Sequence, residues 1–410
     1  MSVETLTFGC RLNTVEAEVM RGHAERAGAL RDLVLVNTCA VTAEAGRSAR
    51  KAIRRLARER PGAEIVVTGC GAEVETAAYA AMPEVARLVG NAAKLRPDAW
   101  AEGGTAGPGA VMGARTAPPS AIAGMADHTR AFVPVQNGCD HRCTFCVIPF
   151  GRGPSRSVPP ASVVAQVARI VAHGGREVVL TGVDLTAYGR DLDPDLGLGR
   201  LVRRILRDVP DLARLRLSSI DSVEADVALL AAFAEEPRLM PHVHLSLQAG
   251  DDLILKRMRR RHAASDAVRI CERLRALRPG IVLGADLIAG FPTETEAQFA
   301  RSLDHVAACG LTHLHVFPYS PRPGTPAARM PQVAGEIVRE RAARLREAGA
   351  RALRRHLDGE VGAVRRILAE RGGTGRTEGF TPVRIGADVP AGELRDVAVA
   401  GHDGRALLAA

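Results

Sequence analysis

Short apolar runs alternate with longer amphipathic segments along the first part of the chain. The runs TLTFG, LVLVNT and EIVVTG are rich in β-branched residues, and helical periodicity fills the segments from about Asn13 to Ala27 and from about Glu44 to Arg60. A strand followed by a helix and another strand is the repeating unit of a parallel sheet. The pattern therefore predicts an α/β domain built on a parallel sheet over residues 1–97.

A second α/β region follows a stretch without periodicity. Residues 98–128 are rich in glycine, alanine and proline, which indicates a linker. Residues 129–357 contain six further apolar runs separated by helical segments: FVPVQNG, EVVLTG, RLRLSS, HVHLSLQ, IVLGADLIAGF and HLHVFPY. Six β/α repeats predict a partial (β/α)6 barrel, or a complete one, with its chemistry at the carboxyl ends of the strands.

The end of the chain shows a different pattern. An arginine-rich amphipathic helix is predicted from about Gln332 to Leu357, and residues 358–410 contain short alternating runs broken by glycines. Such runs are typical of a small antiparallel β domain. Three domains and a linker agree with a length of 410 residues, which exceeds one ordinary core.

Composition and charge narrow the class of protein. Apolar residues make up 46% of the chain, and no apolar run approaches the ~18 residues of a membrane span. The first residues include Glu4 and lack the apolar stretch of a secretory signal, so we expect a cytoplasmic protein without membrane association. The net charge of +9 favours a nucleic-acid partner only modestly, because an excess of arginine can also reflect biased base composition.

The eight cysteines divide into three groups. Cys271 and Cys309 occupy apolar positions of helical segments and are expected in the core. Cys10, Cys39 and Cys70 each follow one of the first three predicted strands. Because ligands bind at the carboxyl edge of an open parallel sheet, these three are expected to converge there. Three isolated buried cysteines are the alternative.

The remaining cysteines form the motif C-x3-C-x2-C in NGCDHRCTFCVIPFGRG, where Cys139, Cys143 and Cys146 follow the first predicted barrel strand. A structural zinc site uses four ligands, and His141 lies too close between two of the cysteines to join them easily in one tetrahedron. A four-iron cube is usually held by four thiolates. Three thiolates would leave one iron open to a substrate or cofactor, with zinc as the alternative.

The spacing C-x3-C-x-Phe-C, with Phe145 before the last cysteine, resembles the radical S-adenosylmethionine (SAM) superfamily. GCRLN with Glu16, VNTCAVT, VVTGC and GCDHRCTFCVIPFGRGPSRS together resemble the methylthiotransferases of that superfamily over nearly the whole chain. The resemblance implies a cluster-binding N-terminal domain, a central radical SAM barrel and a C-terminal domain like the RNA-binding TRAM domain.

The resemblance also implies the cofactors, which are SAM and two [4Fe–4S] clusters. SAM would bind the open iron of a radical cluster held by Cys139, Cys143 and Cys146. An auxiliary cluster would be held by Cys10, Cys39 and Cys70. A non-catalytic protein that binds zinc or nucleic acid is the alternative from another class.

Three branches of the family act on isopentenyladenosine in tRNA, on an aspartate of a ribosomal protein, and on threonylcarbamoyladenosine in tRNA. GPSRS, LTGVDLTAYG and LRLSSIDSVE resemble the third branch. The resemblance thus implies methylthiolation of C2 of N6-threonylcarbamoyladenosine at tRNA position 37, with the other two substrates as alternatives. The implied partners are the tRNA anticodon loop and an electron donor such as flavodoxin or ferredoxin.

Four residues outside the cysteine motifs are hypothetical SAM contacts. GGREVVLTG resembles the glycine-rich segment that meets the SAM amino group, which nominates Glu177. Gln248, Arg259 and Asp286 lie at or after predicted strand ends, where barrel sites form. A structural ion pair or a cap is the competing explanation for each. Arginines between RRHL and RRIL are expected to contact tRNA phosphates.

Overall fold

The computed structural model describes residues 3–27, 32–101, 106–120, 122, 124–125 and 128–410. The strands are β1 (Val3–Thr7), β2 (Leu33–Thr38), β3 (Glu64–Gly69), β4 (Arg87–Leu88), β5 (Ala131–Pro134), β6 (Gln136–Asn137), β7 (Arg156–Ser157), β8 (Glu177–Thr181), β9 (Arg214–Leu217), β10 (His242–Gln248), β11 (Val282–Ala289), β12 (His313–Pro318), β13 (Val364–Glu370), β14 (Thr374–Arg376), β15 (Pro382–Arg384), β16 (Leu394–His402) and β17 (Leu407–Ala409). The helices are α1 (Arg11–Arg26), α2 (Ala43–Glu59), α3 (Cys70–Val74), α4 (Thr76–Ala80), α5 (Ile148–Arg152), α6 (Pro160–Ala172), α7 (Leu198–Asp208), α8 (Val227–Glu235), α9 (Asp252–Arg257), α10 (Ala264–Leu277), α11 (Glu296–Ala308) and α12 (Gly335–Glu360).

The N-terminal sheet is parallel throughout, in the order β1-β2-β3-β4. Thr7 pairs with Asn37, and Thr38 pairs with Gly69, so the carboxyl ends of the first three strands meet at one edge. The three predicted strands and both predicted helices are confirmed. The two-residue strand β4 was not predicted, because Arg87 and Leu88 alone carry no periodicity.

The segment predicted as a linker is irregular but packed. Its described part contains only the short 3-10 helices Pro97–Trp100 and Val111–Gly113. Trp100 is buried in the core of the N-terminal sheet, and its Nε1 donates to the Lys94 carbonyl at 2.8 Å. The N-terminal core therefore extends past the predicted boundary at residue 97. Positions 102–105, 121, 123, 126 and 127 of the predicted linker lie outside the described residues.

All six predicted barrel strands form. They make two parallel sheets, β5-β8-β9 and β10-β11-β12, which are joined by the parallel bridges Leu215 to Leu239 and Ile220 to Leu245. In the pairings that the structure describes, β5 and β12 are edges, so the barrel is partial. His315 and Phe317 of β12 are exposed, which leaves the barrel interior open along this edge.

Alternation along the barrel strands separates two kinds of side chain. Leu215, Val243 and Leu283 belong to one large apolar core that also includes side chains of the surrounding helices. Because successive strand residues point to opposite faces, their neighbours such as Arg216 and His244 face the barrel interior. The interior is therefore unusually rich in charged and histidine side chains, which suits a polar ligand.

The C-terminal strands close into a small barrel in the order β13-β14-β15-β17-β16. The pairs are antiparallel, as predicted, except for β15 with β17, which is parallel. The barrel docks on the amino-terminal end of the large barrel, where Arg214 Nη1 and Arg216 Nη1 donate to the Arg376 and Glu378 carbonyls at 3.3 and 3.0 Å. No helix in the described parts of the chain is long and apolar enough to cross a membrane.

Candidate metal centres

The loop that carries Cys139, Cys143 and Cys146 connects β6 to α5 and is anchored at both ends. The Cys139 amide donates to the Gly153 carbonyl at 3.0 Å. Gly138 has φ +73°, and a Cβ atom there would lie 1.9 Å from the Pro154 carbonyl oxygen. Only glycine permits this approach, so the loop geometry is fixed by backbone contacts.

Burial and a nearby cation act differently on the thiols of this loop. Burial raises the pKa of Cys139 and of Cys146 to about 12, so both thiols stay neutral unless a metal displaces the proton. Arg260 Nη1 lies 3.7 Å from Cys143 Sγ, where it favours a thiolate.

Cys10, Cys39 and Cys70 meet at the carboxyl edge of the N-terminal sheet. Burial, assisted by the nearby Cys70 and Cys10, raises the pKa of Cys39 to about 11. Gly9 has φ +100°, and an added Cβ atom would lie 2.8 Å from Cys39 Sγ. The structure thus brings the trio together as the sequence predicted, with a backbone glycine making room beside the sulfur.

Arg152 of α5 joins the two cysteine sites. It is buried, its Nε donates to Cys70 Sγ at 3.1 Å, and its two Nη atoms donate to Glu16 Oε1 at 2.8 Å and to Asn13 Oδ1 at 2.6 Å. Burial alone would lower the pKa of Arg152, but Cys70 and Glu16 raise it well above its usual value. A permanent cation at this place would stabilise thiolates of the N-terminal trio.

The two trios face each other across the domain interface. Val147, next to Cys146, packs in one apolar cluster with Ala40 and Cys70. A Cβ atom on Gly151 would lie 3.3 Å from Cys70 Cβ, so the loop after the central trio runs directly over the N-terminal trio. The arrangement places two metal-binding positions on either side of one shared space.

Asp184 is a carboxylate close to the central trio. It follows β8, and its Oδ2 lies 2.7 Å from His141 Nε2 and 3.9 Å from Cys139 Sγ. Asp184 and Glu224 raise the pKa of His141 to about 9, so the imidazole is protonated and ion-paired at neutral pH. Cys139, His141 and Asp184 are close enough to one another to bind one ion.

Glu177, predicted to contact SAM, is not brought to the cysteines. It is fully buried, and its carboxylate contacts three arginines: Arg216 Nε at 2.9 Å, Arg214 Nη1 at 3.6 Å and Arg130 Nε at 3.8 Å. These ion pairs explain the residue without a ligand, so its position argues against the predicted contact. Asp184, two residues past that glycine-rich stretch and within LTGVDLTAYG, lies beside the cysteine loop instead.

The other hypothetical SAM contacts have different placements. Gln248 ends β10 at φ 72°, where the register with β11 shifts, so it lies at the carboxyl end as predicted. Arg259 follows α9 with φ 57° and is exposed. Its neighbour Arg260, with Nη2 2.7 Å from Asp221 Oδ2, is the arginine that reaches the cysteine loop.

Asp286 lies on β11 within the barrel interior and contacts two histidines. Its Oδ1 is 2.8 Å from His244 Nε2 and 3.2 Å from His315 Nδ1. Burial would raise the pKa of Asp286, but hydrogen bonds from both histidines lower it to about 2. The carboxylate is therefore charged and lies on the open side of the barrel, where a polar substrate group can reach it.

Comparisons with known proteins agree with this architecture. Residues 133–306 match the Radical SAM superfamily, and residues 2–90 match an uncharacterized protein family, UPF0004. The structure of the radical S-adenosylmethionine methyltransferase TsrM from Kitasatospora setae aligns with a TM-score of 0.56 and 18% identity over 80% of this chain and 77% of that chain. This likeness shows a shared fold.

Two sequence relatives extend over most of the chain. The threonylcarbamoyladenosine tRNA methylthiotransferase MtaB of Rickettsia prowazekii is 44% identical over 95% of this chain and 93% of its own length. The tRNA-2-methylthio-N(6)-dimethylallyladenosine synthase of Sorangium cellulosum is 36% identical over 89% of this chain and 80% of its own length. With the two cysteine trios in place, these matches show that the chain belongs to the radical SAM methylthiotransferase family.

Proposed function

We propose that this protein methylthiolates C2 of N6-threonylcarbamoyladenosine at position 37 of tRNA. The observation that carries the reaction type is the pair of cysteine trios facing one space across the buried Arg152. Support for the substrate comes from the 44% identity to the Rickettsia prowazekii enzyme, compared with 36% to the dimethylallyladenosine enzyme of Sorangium cellulosum.

The two thiol sets fit the two clusters that the family uses. Cys139, Cys143 and Cys146 would hold the [4Fe–4S] cluster that binds SAM, and Cys10, Cys39 and Cys70 the auxiliary [4Fe–4S] cluster. When bound, the first cluster supplies the electron that cleaves SAM to a hydrogen-abstracting radical, and the auxiliary cluster delivers sulfur.

The protein side chains around the central trio have separate tasks. Asp184, whose Oδ2 is 3.9 Å from Cys139 Sγ, is suited to accept from the ammonium group of SAM. Arg260 donates toward Cys143 Sγ, which stabilises negative charge on the sulfur. Gln248 and Asp286 remain proposed contacts at the carboxyl ends and interior of the barrel. We propose no SAM contact for Arg259 or Glu177.

The proposed tRNA surface lies where α12 enters the C-terminal barrel. Arg354, Arg355 and Arg366 are exposed there and can meet the phosphates of the anticodon stem. Binding should weaken steeply with salt, because each neutralised phosphate releases counterions. Charge reversal at Arg354 and Arg355 is a cleaner test than truncation, since the C-terminal barrel covers the buried Arg214.

The proposed reaction implies an electron donor and a cellular location. Reductive cleavage of SAM needs a low-potential electron donor, for which a flavodoxin or a ferredoxin is suited. A tRNA substrate would also place the protein in the cytoplasm. Anaerobic SAM cleavage with purified flavodoxin and its reductase, compared with dithionite, tests the donor directly.

Mass spectrometry of tRNA nucleosides tests the substrate. A strain lacking the gene should lose 2-methylthio-N6-threonylcarbamoyladenosine and accumulate its precursor, and the wild-type gene should restore the product. Complementation with Cys143→Ala should fail. Loss of the methylthio isopentenyladenosine instead would favour the second tRNA substrate, and unchanged tRNA nucleosides would favour the ribosomal-protein substrate.

A further inference from the structure

Arg11, the first residue of α1 and the neighbour of Cys10, extends into the barrel interior. Its guanidinium carbon lies 5.7 Å from the centre of the Phe132 ring and 5.8 Å from that of the Phe380 ring. Phe132 belongs to β5, and Phe380 lies on the loop between β14 and β15. All three domains therefore meet around this one cation.

No hydrogen bond or ion pair involves the Arg11 side chain within the described parts of the chain, and Glu177 favours its charge only from a distance. The arginines beside it differ in this respect, since Arg130 pairs with Glu370 and Arg216 pairs with Glu177. Because the partly desolvated cation of Arg11 has no hydrogen-bonding partner among the described residues, an anion beside it would be stabilised.

The charges around Arg11 strengthen this expectation. Arg130, Arg214, Arg216 and Arg376 contribute four further positive charges, whereas Glu177, Glu370 and Glu378 provide three negative ones. The excess of positive charge lies in a partly closed interior, where electrostatic attraction is stronger than in open water. The exposed β12 edge gives a bulky anionic group a route inward.

We propose that Arg11 binds the carboxylate of the N6-threonylcarbamoyl group and thereby selects this adenosine over those with neutral N6 substituents. The inference rests on the proposed function. In adenine, C2 and C6 both flank N1, so the N6 substituent starts beside C2 and its carboxylate lies several bonds further out. With C2 at the cysteine loops, this carboxylate can extend into the barrel toward Arg11, which contacts Phe132 of β5.

The test uses two anticodon stem-loop substrates, one with the natural threonylcarbamoyl carboxylate and one with its methyl ester. Methylthiolation by the reconstituted wild-type enzyme should show kcat/KM about 10- to 100-fold higher for the acid, the factor typical of one charge-assisted contact. Arg11→Gln should reduce this preference to within about threefold. Arg11→Lys, which keeps the charge but loses the planar fork, should show an intermediate preference.

Controls separate recognition from folding and from cluster binding. Iron content and SAM cleavage in the absence of tRNA should be unchanged in Arg11→Gln. Arg54→Gln, at an exposed position of α2, should keep the wild-type preference for the acid. If the Arg11→Gln protein loses iron, the ratio of kcat/KM for the acid to that for the ester is measured on Arg11→Lys instead.

Three results have distinct meanings. Equal losses on acid and ester in Arg11→Gln would show a structural role and overturn the proposal. A wild-type enzyme that does not prefer the acid would overturn it without any variant, while leaving the threonylcarbamoyl substrate intact. A wild-type enzyme that modifies only an isopentenyladenosine stem-loop would instead refute the proposed function, and the inference with it.

Discussion

Asp184 and Glu177 lie at opposite ends of β8. Glu177 is the first residue of the strand, and Asp184 follows its last residue, Thr181, by three positions. The strand alone separates the two positions by about 13 Å, at roughly 3.3 Å per residue. Asp184 is therefore next to Cys139, whereas Glu177 lies among arginines at the end of the barrel that the C-terminal domain covers.

Asp184→Asn should weaken SAM binding by about 10- to 100-fold, because the amide removes one charge-assisted hydrogen bond. Equilibrium binding of SAM to the anaerobically reconstituted enzyme measures this. Glu177→Gln is the matched comparison. It should leave SAM affinity unchanged but lower the free energy of unfolding by about 3–5 kcal/mol, since three buried arginines lose their common partner. Weaker SAM binding in Glu177→Gln together with unchanged SAM binding in Asp184→Asn would instead indicate Glu177 as the ligand.

Local patterns explain why much of the fold was predictable. Strand periodicity and β-branched runs identified the first three strands and all six barrel strands. Cysteines at equivalent strand ends identified the N-terminal trio, and the spacing C-x3-C-x2-C identified the central one. Glu177 was nominated because its glycine-rich stretch resembles a motif, whereas the hydrogen-bonded register of β8 places it at the amino-terminal end of the strand. Counting on from the end of EVVLT leads to Asp184, which we propose as the SAM contact instead.

Such local patterns could not predict contacts between residues that lie far apart in the chain. Arg152 meets Glu16 across 136 positions, and Lys94 meets Glu16 across 78. Neither spacing leaves a periodic trace, because both pairings form only in the folded tertiary structure. The parallel pairing of β15 with β17 has the same cause, since closure of the C-terminal barrel sets it.

The two cysteine trios should be separable by substitution. Cys143→Ala should lose about half of the iron and abolish SAM cleavage, because one cluster site is incomplete. Cys39→Ala should also lose about half, yet still form 5′-deoxyadenosine without methylthiolated product. Cys271→Ala is the control, since Cys271 is buried in the barrel core, and it should retain all iron.

Loss of most iron in either variant would mean that the two sites assemble as one unit. Loss of SAM cleavage in Cys39→Ala would contradict separate tasks for the trios. Iron analysis and product analysis of the same preparations distinguish these outcomes.

Arg152→Gln should disrupt both the domain interface and the N-terminal trio. The change removes the buried ion pair to Glu16 and the buried donor to Cys70 Sγ. Loss of one partner of a buried ion pair typically lowers the free energy of unfolding by about 3–5 kcal/mol. Urea unfolding measures the stability, and the reduction potential of the auxiliary cluster should fall, because a positive donor to sulfur is lost. Arg58→Gln, an exposed substitution in α2, should change neither. An Arg152→Gln protein with unchanged stability and an unchanged reduction potential of the auxiliary cluster would contradict this role of Arg152.

Glu16 gives the protein a specific sensitivity to acid. Its Oε2 lies 2.6 Å from Lys94 Nζ and its Oε1 2.8 Å from Arg152 Nη1. Burial would raise the pKa of Glu16, but these two cations lower it to about 2, compared with about 4.3 in an unfolded chain. Because the unfolded state binds the proton more readily, the stabilisation is complete above about pH 4.3 and is lost as the pH falls toward 2.

The expected contribution is about 3 kcal/mol, from a difference of roughly two pKa units. Urea unfolding of the wild type and of Glu16→Gln at several pH values between 5 and 3 measures it. The wild-type free energy should decline more steeply, and the difference between the two curves removes any acid effect on the clusters that both proteins share. Glu59→Gln, at an exposed position of α2, should follow the wild-type slope. Parallel curves for the wild type and Glu16→Gln would show that Lys94 and Arg152 do not hold this carboxylate ionised.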